Sequence, residues 1–364
     1  MNYYEKELNI IKKSNRFRKR KLFDKKLIDL ASNDYLGLST KKSLLKKTYK
    51  ILQEEQSFTP KASMLVNGYS SIHQKFEKKL CKLNRFENAV VVGSGFLANI
   101  SLIESLVRKK DILFIDEQYH ASGMLATKLV QGEVVVFKHN DTEDLKNKIE
   151  SLSYTPNRSI IAIEGVYSMG GDIAPKKFND IASLYNAILL VDEAHSSGVI
   201  GKNLLGWFDY HNIVPQQNHI KMGTLGKAYA SYGAYILASH EIISFLENRA
   251  KPIIYGTAPS LFDIALAYTN LKYLQKHKQK IKKRIKENQN IVKKYLQIDA
   301  KSLIVPLEIG DNKKVMQIQE NLIQKGFLVG AIRQPTVSKA IIRLIIKLDI
   351  KKKDLKKVVR YLKN

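Results

Sequence analysis

Cysteine, acidic residues and long apolar runs are all scarce in this sequence of 364 residues. The single cysteine, Cys81, excludes an intramolecular disulfide and fits a reducing compartment. No apolar run approaches the roughly 18 residues that cross a bilayer, and the basic N-terminus lacks the apolar segment of a signal peptide. We therefore expect a cytoplasmic protein that does not insert into a membrane.

The shortage of acidic residues makes the chain strongly basic. Aspartate and glutamate number 34 against 61 lysines and arginines, and the formal net charge is +27. Lysine occurs in every segment, which favours a compositional bias spread over a solvated surface. The alternative is an acidic partner, either polymeric or small.

A phosphate-cradling loop is also missing, and this absence bears on the stretch LLVDEAHSSG at 189–198. An apolar strand that ends in Asp-Glu-Ala-His is typical of a nucleic-acid helicase, where the first carboxylate holds Mg²⁺. Such an enzyme needs an upstream G-x-x-x-x-G-K-[ST] motif. The similar GTLGKA at 223–228 lacks the first glycine and the final hydroxyl residue, and it lies downstream. We expect no nucleic-acid partner.

Apolar runs of four to six residues alternate with helical stretches from about residue 86 onward. Strands without polar alternation, separated by helices, predict a mostly parallel sheet covered on both faces. The predicted strands are AVVV, ILFI, VVVF, SIIAIE, AILLV and AYILA.

The pattern changes after Pro259, where one long helical run is followed by a small α+β arrangement. That arrangement contains the strand-like SLIVPLEI, FLVGAI and AIIRLIIKL and two further helical stretches. We therefore predict an N-terminal arm at 1–40, a large α/β domain at 41–260 and a small α+β domain at 261–364.

A dinucleotide site is one interpretation of the glycine pattern after the first predicted strand. Gly93-x-Gly95-x-x-Ala98 follows AVVV, and Asp116 ends the next strand about 20 residues later. Small residues open many strand-to-helix turns, so this signal is weak. A NAD-dependent oxidoreductase also leaves the Asp192, His195 and Lys227 group without a role.

Chemistry-bearing residues follow the ends of successive predicted strands, including the short HIKM run at 219–222. Strand ends in a parallel sheet meet at one crevice. A helix N-terminus with a hydroxyl binds phosphate, a histidine stacks on a ring, a carboxylate pairs with a ring nitrogen, and a lysine forms a Schiff base. These are the parts of a pyridoxal-phosphate (PLP) site. The residues are Gly95, Phe96, His120, Glu164, Ser168, Asp192, His195, Thr224 and Lys227.

Motifs in collinear order along nearly the whole chain resemble the α-oxoamine synthases, a family of fold type I PLP enzymes. The resemblance implies a large, mostly parallel sheet domain and a small α+β C-terminal domain. The motifs are SNDYLGLS, GSGFLAN, YHAS, EGVYSMGGDIAP, VDEAHSSGVIG, TLGKAYASYGAY and AIRQPTV.

The resemblance implies catalytic roles for residues at the strand ends. Lys227 would carry PLP covalently and act as the base at the Cα of the amino acid. Asp192 would keep the pyridine nitrogen protonated, and His120 would stack on the ring. His195 and Ser168 would bond its phenolic oxygen.

It also implies the remaining cofactor contacts. The Gly95 and Phe96 backbone and Thr224 would hold the phosphate, and Glu164 would be a supporting carboxylate. We expect no metal site.

Within the family the chain is most similar to the member that condenses L-alanine with a pimeloyl thioester to 8-amino-7-oxononanoate in biotin synthesis. The acyl carrier, coenzyme A or an acyl carrier protein, stays open. Alternatives are another α-oxoamine synthase, such as glycine C-acetyltransferase, or a non-catalytic basic binding protein. An intact Lys227 argues against the last, because binding alone needs no Schiff base.

Substrate contacts follow from the same resemblance and from charge. Arg343 is the candidate for the carboxylate of the amino acid, Thr336 is a further substrate contact, and Arg16 is the candidate for the far carboxylate of the acyl donor. The family builds its sites in a homodimer, and TPKASMLVNGYSSIH at 59–73 is the segment expected to reach the partner. That segment has Met64 where many members have arginine.

Overall fold

The computed structural model describes residues 3–363. Besides the α-helices the chain has two short helical turns, π-helical at Met64–Gly68 and 3₁₀ at Thr127–Leu129. In chain order the α-helices are α1 (Glu5–Lys13), α2 (Lys42–Leu52), α3 (Ser71–Asn84), α4 (Gly95–Leu106), α5 (Ala121–Ala126), α6 (Thr142–Glu150), α7 (Lys177–Leu184), α8 (Trp207–Tyr210), α9 (His240–Arg249), α10 (Lys251–Ile254), α11 (Leu261–Leu296), α12 (Asn312–Gln324) and α13 (Lys352–Lys363).

The strands include every apolar run that the sequence predicts. In chain order they are β1 (Ile28–Leu30), β2 (Asn88–Val92), β3 (Ile112–Asp116), β4 (Glu133–Phe137), β5 (Ser159–Glu164), β6 (Ile188–Asp192), β7 (His219–Thr224), β8 (Ala234–Ala238), β9 (Ile304–Gly310), β10 (Phe327–Ile332) and β11 (Ala340–Ile345).

The chain divides into two compact units, and the boundaries differ from the predicted ones. The large unit comprises 36–168 and 172–282, and the small unit comprises the rest. The N-terminal segment groups with the C-terminal one because β1 pairs with β10. The second boundary falls inside α11. The sequence does not reveal it, because a continuous helix of 36 residues carries no compositional break at a domain edge.

The large unit contains a mostly parallel sheet, as predicted. Among the described residues its order is β2-β8-β7-β6-β5-β3-β4, and β8 runs antiparallel to both of its neighbours. Every residue of β3 and of β8 is buried, because helices cover both faces. The helix α4 is apolar nearly all round and contributes Leu102 and Ile103 to the core that includes Leu190 and Ile236.

The small unit contains a sheet in the order β1-β10-β11-β9. β1 is parallel to β10, whereas β11 is antiparallel to β10 and to β9. The helix α13 buries Leu355, Val358 and Val359 along one face. The sequence does not predict β1, because three residues carry no recognisable periodicity.

Burial, and next the charge of Glu77, raise the pKa of the Cys81 thiol to about 11, so its reactive thiolate is scarce at neutral pH. Between residues 3 and 363, no helix has both the length and the apolar character that a membrane span requires.

Candidate active site

Five strands of the large unit bring the predicted residues to one edge of its sheet. The carboxyl ends of β2, β3, β5, β6 and β7 point the same way, and a site segment follows each of them. Glu164 and Asp192 are register partners on neighbouring strands, which places their backbones side by side. The parallel arrangement therefore gathers residues that are more than a hundred positions apart.

Lys227 and His195 are in direct contact at this edge. The Lys227 Nζ lies 2.7 Å from the His195 Nε2. Since an ammonium group only donates hydrogen bonds, the His195 Nε2 is the acceptor while Lys227 is charged. A lysine held by a neighbouring base is suited to give up and take back a proton.

Asp192 is a buried carboxylate with a partner on each oxygen. Its Oδ1 accepts a hydrogen bond from the Ala194 N–H at 2.9 Å, and its Oδ2 accepts one from the Asn99 Nδ2 at 3.0 Å. These two donors hold the carboxylate in one orientation. Such a group is suited to pair with a protonated ring nitrogen.

His120 caps the N-terminus of α5 and is held through one of its ring nitrogens. The Nδ1 lies 2.7 Å from the Ser122 Oγ and accepts the Ser122 backbone N–H at 3.3 Å. Burial lowers the pKa of His120, the charge of Asp192 opposes this, and the charge of Lys227 adds to it. The imidazole is therefore neutral at neutral pH.

Gly95, Phe96 and Thr224, which the sequence predicts to bind a phosphate, lie at and beside the start of a helix. Helix α4 begins at Gly95, and the first N–H groups of a helix have no partner within it. A Cβ added to Gly95 would lie 3.7 Å from the Thr224 Cβ, so the two residues are close neighbours. The Thr224 Oγ1 donates to the Gly233 carbonyl at 3.1 Å and accepts from the Gly226 N–H at 3.4 Å.

Glu164 is buried and only half satisfied. Its Oε2 accepts the Ser168 N–H at 3.1 Å, while no group within residues 3–363 hydrogen-bonds its Oε1. Burial raises the pKa of Glu164 well above its usual range, the charge of Asp192 adds to this, and the charge of Lys227 opposes it. An unsatisfied buried oxygen of this kind is suited to a polar group of a bound molecule.

Sequence reasoning missed three residues that surround Asp192 and His120. Asn99 donates to Asp192, and the Asn99 Nδ2 also lies 2.9 Å from the Ser122 Oγ. The Tyr119 hydroxyl donates to the Asn99 Oδ1 at 2.8 Å. The available signal was an asparagine on an otherwise apolar helix, four residues after Gly95, within the quoted motif GSGFLAN.

Asp116, the acidic residue of the dinucleotide interpretation, is already engaged. Its carboxylate accepts hydrogen bonds from the Gln118 and Asn140 N–H groups at 2.8 and 2.9 Å and from the Tyr167 hydroxyl at 2.8 Å. In addition, the His139 Nδ1 lies 3.0 Å from the Asp116 Oδ1. With its oxygens taken in this way, Asp116 is not placed to bind a ribose, and the geometry argues against the oxidoreductase.

The three predicted substrate residues lie in the small unit. Arg343 on β11 is 6% exposed, and its Nη1 donates to the Asn33 Oδ1 at 3.0 Å. The Thr336 Oγ1 accepts a hydrogen bond from Arg18 at 3.0 Å. The side chain of Arg16 is exposed.

Metal ligands are not clustered in the part of the chain that the structure describes. Between residues 3 and 363, no group of three or more histidine, cysteine or carboxylate side chains is arranged to hold an ion.

Comparison with known proteins gives consistent relatives. The chain is 46% identical to the 8-amino-7-oxononanoate synthase of Helicobacter pylori (strain J99) over 362 residues, which are 99% of this chain and 96% of that one. It is 35% identical to the putative 8-amino-7-oxononanoate synthase of Aquifex aeolicus, with 100% and 97% of the two chains covered.

Solved structures give the same fold. The 8-amino-7-oxononanoate synthase of Francisella tularensis is 25% identical with a TM-score of 0.78, and 93% of this chain and 98% of that one are covered. A variant serine palmitoyltransferase of S. paucimobilis with a bound PLP–myriocin aldimine is 24% identical with a TM-score of 0.87, and 93% of this chain and 86% of that one are covered. The second likeness shows the fold type I architecture alone.

The family model described as aminotransferase class I and II matches residues 25–362, which is nearly the whole chain. Together with the long alignments to 8-amino-7-oxononanoate synthases, this match shows that the chain belongs to the class I and II aminotransferase family and groups with its α-oxoamine synthases.

Proposed function

We propose that the protein condenses L-alanine with a pimeloyl thioester, and that it releases CO₂ and the carrier thiol to give 8-amino-7-oxononanoate for biotin synthesis. The observation that carries this proposal is the 46% identity to 8-amino-7-oxononanoate synthase over 99% of the chain. The residues at the edge of the large sheet supply the chemistry that such a reaction needs.

PLP is the cofactor, and the described residues fit it. The helix start at Gly95, with Thr224 beside it, suits its phosphate, Asp192 suits its pyridine nitrogen, and Lys227 is the amine for its aldehyde. The Glu164 Oε1, buried without a hydrogen-bond partner in the described chain, gives a polar group of the cofactor a place to bond. When bound, PLP supplies the electron sink for bond changes at the Cα of an amino acid.

Lys227 moves the proton at the reacting carbon. Its Nζ takes the Cα hydrogen of alanine as general base and returns a proton to the product. The neighbouring His195 Nε2, 2.7 Å away, keeps this amine in one place. His195 and Ser168 would in addition bond the phenolic oxygen of the cofactor.

Asp192 holds a proton at the pyridine nitrogen. A carboxylate within about 4–6 Å raises the pKa of a base by about 1–3 units. The two hydrogen bonds to Ala194 and Asn99 prevent the carboxylate from rotating away. His120 would stack its neutral imidazole on the same ring.

Arg343 would pair with the carboxylate of alanine. Its burial and its bond to Asn33 give a rigid guanidinium, which suits bidentate recognition. Arg16 remains the candidate for the acyl donor, which is carried by coenzyme A or an acyl carrier protein, and Thr336 remains a further candidate substrate contact.

The protein would act as a homodimer in the cytoplasm. The turn Met64–Gly68 within the segment 59–73 presents Leu65 and Val66, which are 50% and 77% exposed. Gly68 fixes this turn, since a Cβ there would lie 2.1 Å from the Ala62 carbonyl oxygen. Apolar side chains raised on a rigid turn are suited to burial against a second copy.

Product identity tests the proposal. Purified protein with PLP is given L-alanine, glycine or L-serine, each with pimeloyl, acetyl or palmitoyl thioesters, and the products are identified by mass. We expect 8-amino-7-oxononanoate from alanine and the pimeloyl donor. A faster reaction of glycine with the acetyl donor would replace this function with that of a glycine C-acetyltransferase.

The same preparation tests the role of Lys227. Borohydride reduction and peptide mapping should locate PLP on Lys227, and Lys227→Ala should abolish both label and product. The matched control is Lys272→Ala, which removes an exposed lysine of α11. Label on another lysine would refute the assignment.

A further inference from the structure

A continuous chain of hydrogen bonds runs from Asp192 through the buried side chains of Asn99 and Ser122 and ends on His120. We propose that Asn99 and Ser122 transmit the charge of Asp192 to His120 and fix its imidazole with the hydrogen on Nε2. The two relay residues position others and do not themselves touch the reacting atoms. The benefit for catalysis rests on the proposed function, but the hydrogen-bond pattern does not.

The charge of Asp192 decides which way the Asn99 amide faces. An ionised carboxylate only accepts hydrogen bonds, so the group 3.0 Å from the Asp192 Oδ2 must be the Asn99 Nδ2. The reversed amide would place two acceptor oxygens against each other. The Tyr119 hydroxyl stabilises the same orientation by donating to the Asn99 Oδ1 at 2.8 Å.

The orientation of Asn99 in turn decides the direction of the Ser122 hydroxyl. The second hydrogen of the Asn99 Nδ2 points to the Ser122 Oγ at 2.9 Å. Within residues 3–363, the other hydrogen-bond partner of this Oγ is the His120 Nδ1 at 2.7 Å. Ser122 therefore accepts from Asn99 and donates its own hydrogen to His120.

A second donor at the His120 Nδ1 gives the same answer independently. The Ser122 backbone N–H approaches this nitrogen at 3.3 Å, and a backbone N–H can only donate. A nitrogen that accepts two hydrogen bonds carries no hydrogen itself. The remaining ring hydrogen must lie on Nε2.

Burial keeps water from the links among Asp192, Asn99 and Ser122, whereas His120 at the end of the chain is exposed. Asn99 and Ser122 are both at most 1% exposed, and Tyr119 and Asp192 are also buried. The Tyr119 ring is held in place because it occupies the space beside Gly123, where a Cβ would lie 2.2 Å from a ring carbon. A hydrogen that pointed the wrong way here would find no water to bond. The full free-energy cost of the lost hydrogen bond would therefore remain.

The charged groups that act on His120 are Asp192 and Lys227. Together with burial they leave the ring neutral, and the relay then chooses which nitrogen holds the hydrogen. A neutral ring with an outward Nε2–H can stack on a protonated pyridine without bringing two cations together. This is the advantage that the relay gives to the proposed PLP enzyme.

The test is the ring tautomer of His120, read by long-range ¹H–¹⁵N correlations in full-length protein labelled with ¹⁵N-histidine. The His120 signals are assigned by their loss in His120→Gln. We expect the wild type to favour the Nε2–H form by about tenfold or more, the effect of one buried hydrogen bond. A wild type with its hydrogen on Nδ1 would overturn the proposal.

Asp192→Asn gives the sharpest variant. The Ala194 N–H should retain the new Oδ1, so that the new amide nitrogen faces Asn99 and forces Asn99 to reverse. Ser122 would then donate to Asn99 and accept from His120, which raises the Nδ1–H population. An unchanged tautomer in Asp192→Asn would refute the transmission of charge.

Ser122→Ala and Asn99→Leu should also weaken the preference for Nε2–H, each by removing one link. The matched control is Ser101→Ala, because Ser101 is a fully buried serine of α4 whose hydroxyl donates to the Leu97 carbonyl. It should leave the His120 signals as in the wild type. If Ser101→Ala altered the tautomer as much as Ser122→Ala, the effect would be one of packing and the relay would be rejected.

Failure of the proposed function is distinguishable from failure of the relay. PLP and the substrates are added to the same labelled sample, and product is measured by mass. The expected tautomer without product would remove the function and keep the relay. Product together with the opposite tautomer would keep the function and remove the relay.

Discussion

Asp192 and Glu193 are adjacent carboxylates with different tasks. Asp192 faces the candidate active site, whereas the Glu193 Oε2 accepts hydrogen bonds from the Ser196 hydroxyl at 2.6 Å and the Trp207 N–H at 2.5 Å. The Lys221 Nζ lies 3.3 Å from the other oxygen of Glu193. In the letters DEAH, therefore, the first acid serves the site and the second anchors a loop.

Asp192→Asn is expected to lower kcat/KM by about 10²–10³-fold, in the range seen when one preorganised electrostatic partner is removed. The physical reason is that a neutral amide does not hold a proton on the pyridine nitrogen. Steady-state kinetics with saturating PLP measures the loss, and circular dichroism checks the fold. The control Asp180→Asn makes the same charge change at an exposed position of α7. Near-normal turnover of Asp192→Asn with PLP bound would remove Asp192 from the mechanism.

His139 of the large unit is kept protonated by two aspartates. Its two ring nitrogens lie 3.0 Å from the Asp116 Oδ1 and 3.0 Å from the Asp172 Oδ2. Burial lowers the pKa of His139, but the hydrogen bonds and charges of the two aspartates outweigh it and raise the pKa to about 9. The protonated ring thus links the segments that carry Asp116 and Asp172.

This raised pKa predicts a stability that depends on pH. A histidine whose pKa is higher in the folded state stabilises fully below its unfolded value of about 6.5 and loses that effect as pH rises through about 9. The contribution is on the order of 1–3 kcal/mol. Urea unfolding of wild type and His139→Gln at several pH values should show a difference that shrinks over this window.

His277→Gln is the control for that series, since the His277 Nδ1 lies 2.8 Å from the backbone carbonyl oxygen of Tyr273 and not from a carboxylate. The pH dependence of His139→Gln beyond that of His277→Gln measures the two ion pairs. The same pH dependence in both variants would show that the ion pairs contribute nothing measurable.

At the scale of elements, the loop between β6 and α8 depends on a glycine. Gly206 has a φ of +100°, and a Cβ added there would lie 1.6 Å from the Glu193 Oε2. This close approach lets Glu193 accept the Trp207 N–H at the start of α8. Trp207 itself is buried and donates from its indole nitrogen to the Ala174 carbonyl at 2.7 Å.

Gly206→Ala is therefore expected to reduce the free energy of unfolding by about 2–4 kcal/mol, from backbone strain and steric overlap together. Gly326→Ala isolates the backbone term, because Gly326 has a φ of +85° while an added Cβ would meet no atom within 4 Å among residues 3–363 apart from its chain neighbours. Chemical denaturation compares the two. Equal losses in the free energy of unfolding would show that Glu193 moves away from the added methyl group at little free-energy cost.

At the scale of the whole molecule, the proposed dimer accounts for the apolar turn Met64–Gly68. Sedimentation should give a dimer, and Leu65→Lys with Val66→Lys should shift it toward monomer and reduce activity in parallel. Two lysines placed in an apolar interface lose hydration without gaining partners. Leu184→Lys, at a 70% exposed position of α7, is the control. A fully active monomer would contradict the shared-site proposal.

The net charge of +27 raises a separate question about the acyl donor. Both proposed carriers are anionic, and a clustered positive field raises the on-rate of an anion by about 10–10³-fold at low salt. The Debye length falls from about 30 Å at 0.01 M salt to about 8 Å at 0.15 M. The exposed residues 18–21, RKRK, form the densest basic run in the N-terminal segment.

We therefore expect kcat/KM for the thioester to fall with salt, while alanine binding barely changes. Neutralising Arg18, Lys19, Arg20 and Lys21 together should flatten that dependence. The control neutralises the exposed Lys351, Lys353, Lys356 and Lys357 near the C-terminus. If both quadruple variants show the same salt dependence, or if kcat/KM does not change with salt, the positive charge is the evenly spread bias that the composition favours.

Local pattern was enough for the strands and for most of the candidate site. The runs SIIAIE and AILLV predict buried strands because a sheet covered on both faces needs apolar side chains in every position. Residues such as Asp192 and Lys227 follow strand ends, and parallel topology brings such ends together. These inferences depend on neighbours within about ten positions, which one sequence contains.

Only the tertiary structure decided which distant segments pair with each other. Asn99 meets Asp192 across 93 positions, β1 joins β10 across about 300, and Asp116 is occupied by partners from other segments. No periodicity marks such partners, because each contact depends on how helices and strands pack and not on the local chain. The sequence by itself therefore determined the sheet and the family of the chain, and packing alone decided the relay that orients Asp192 and His120.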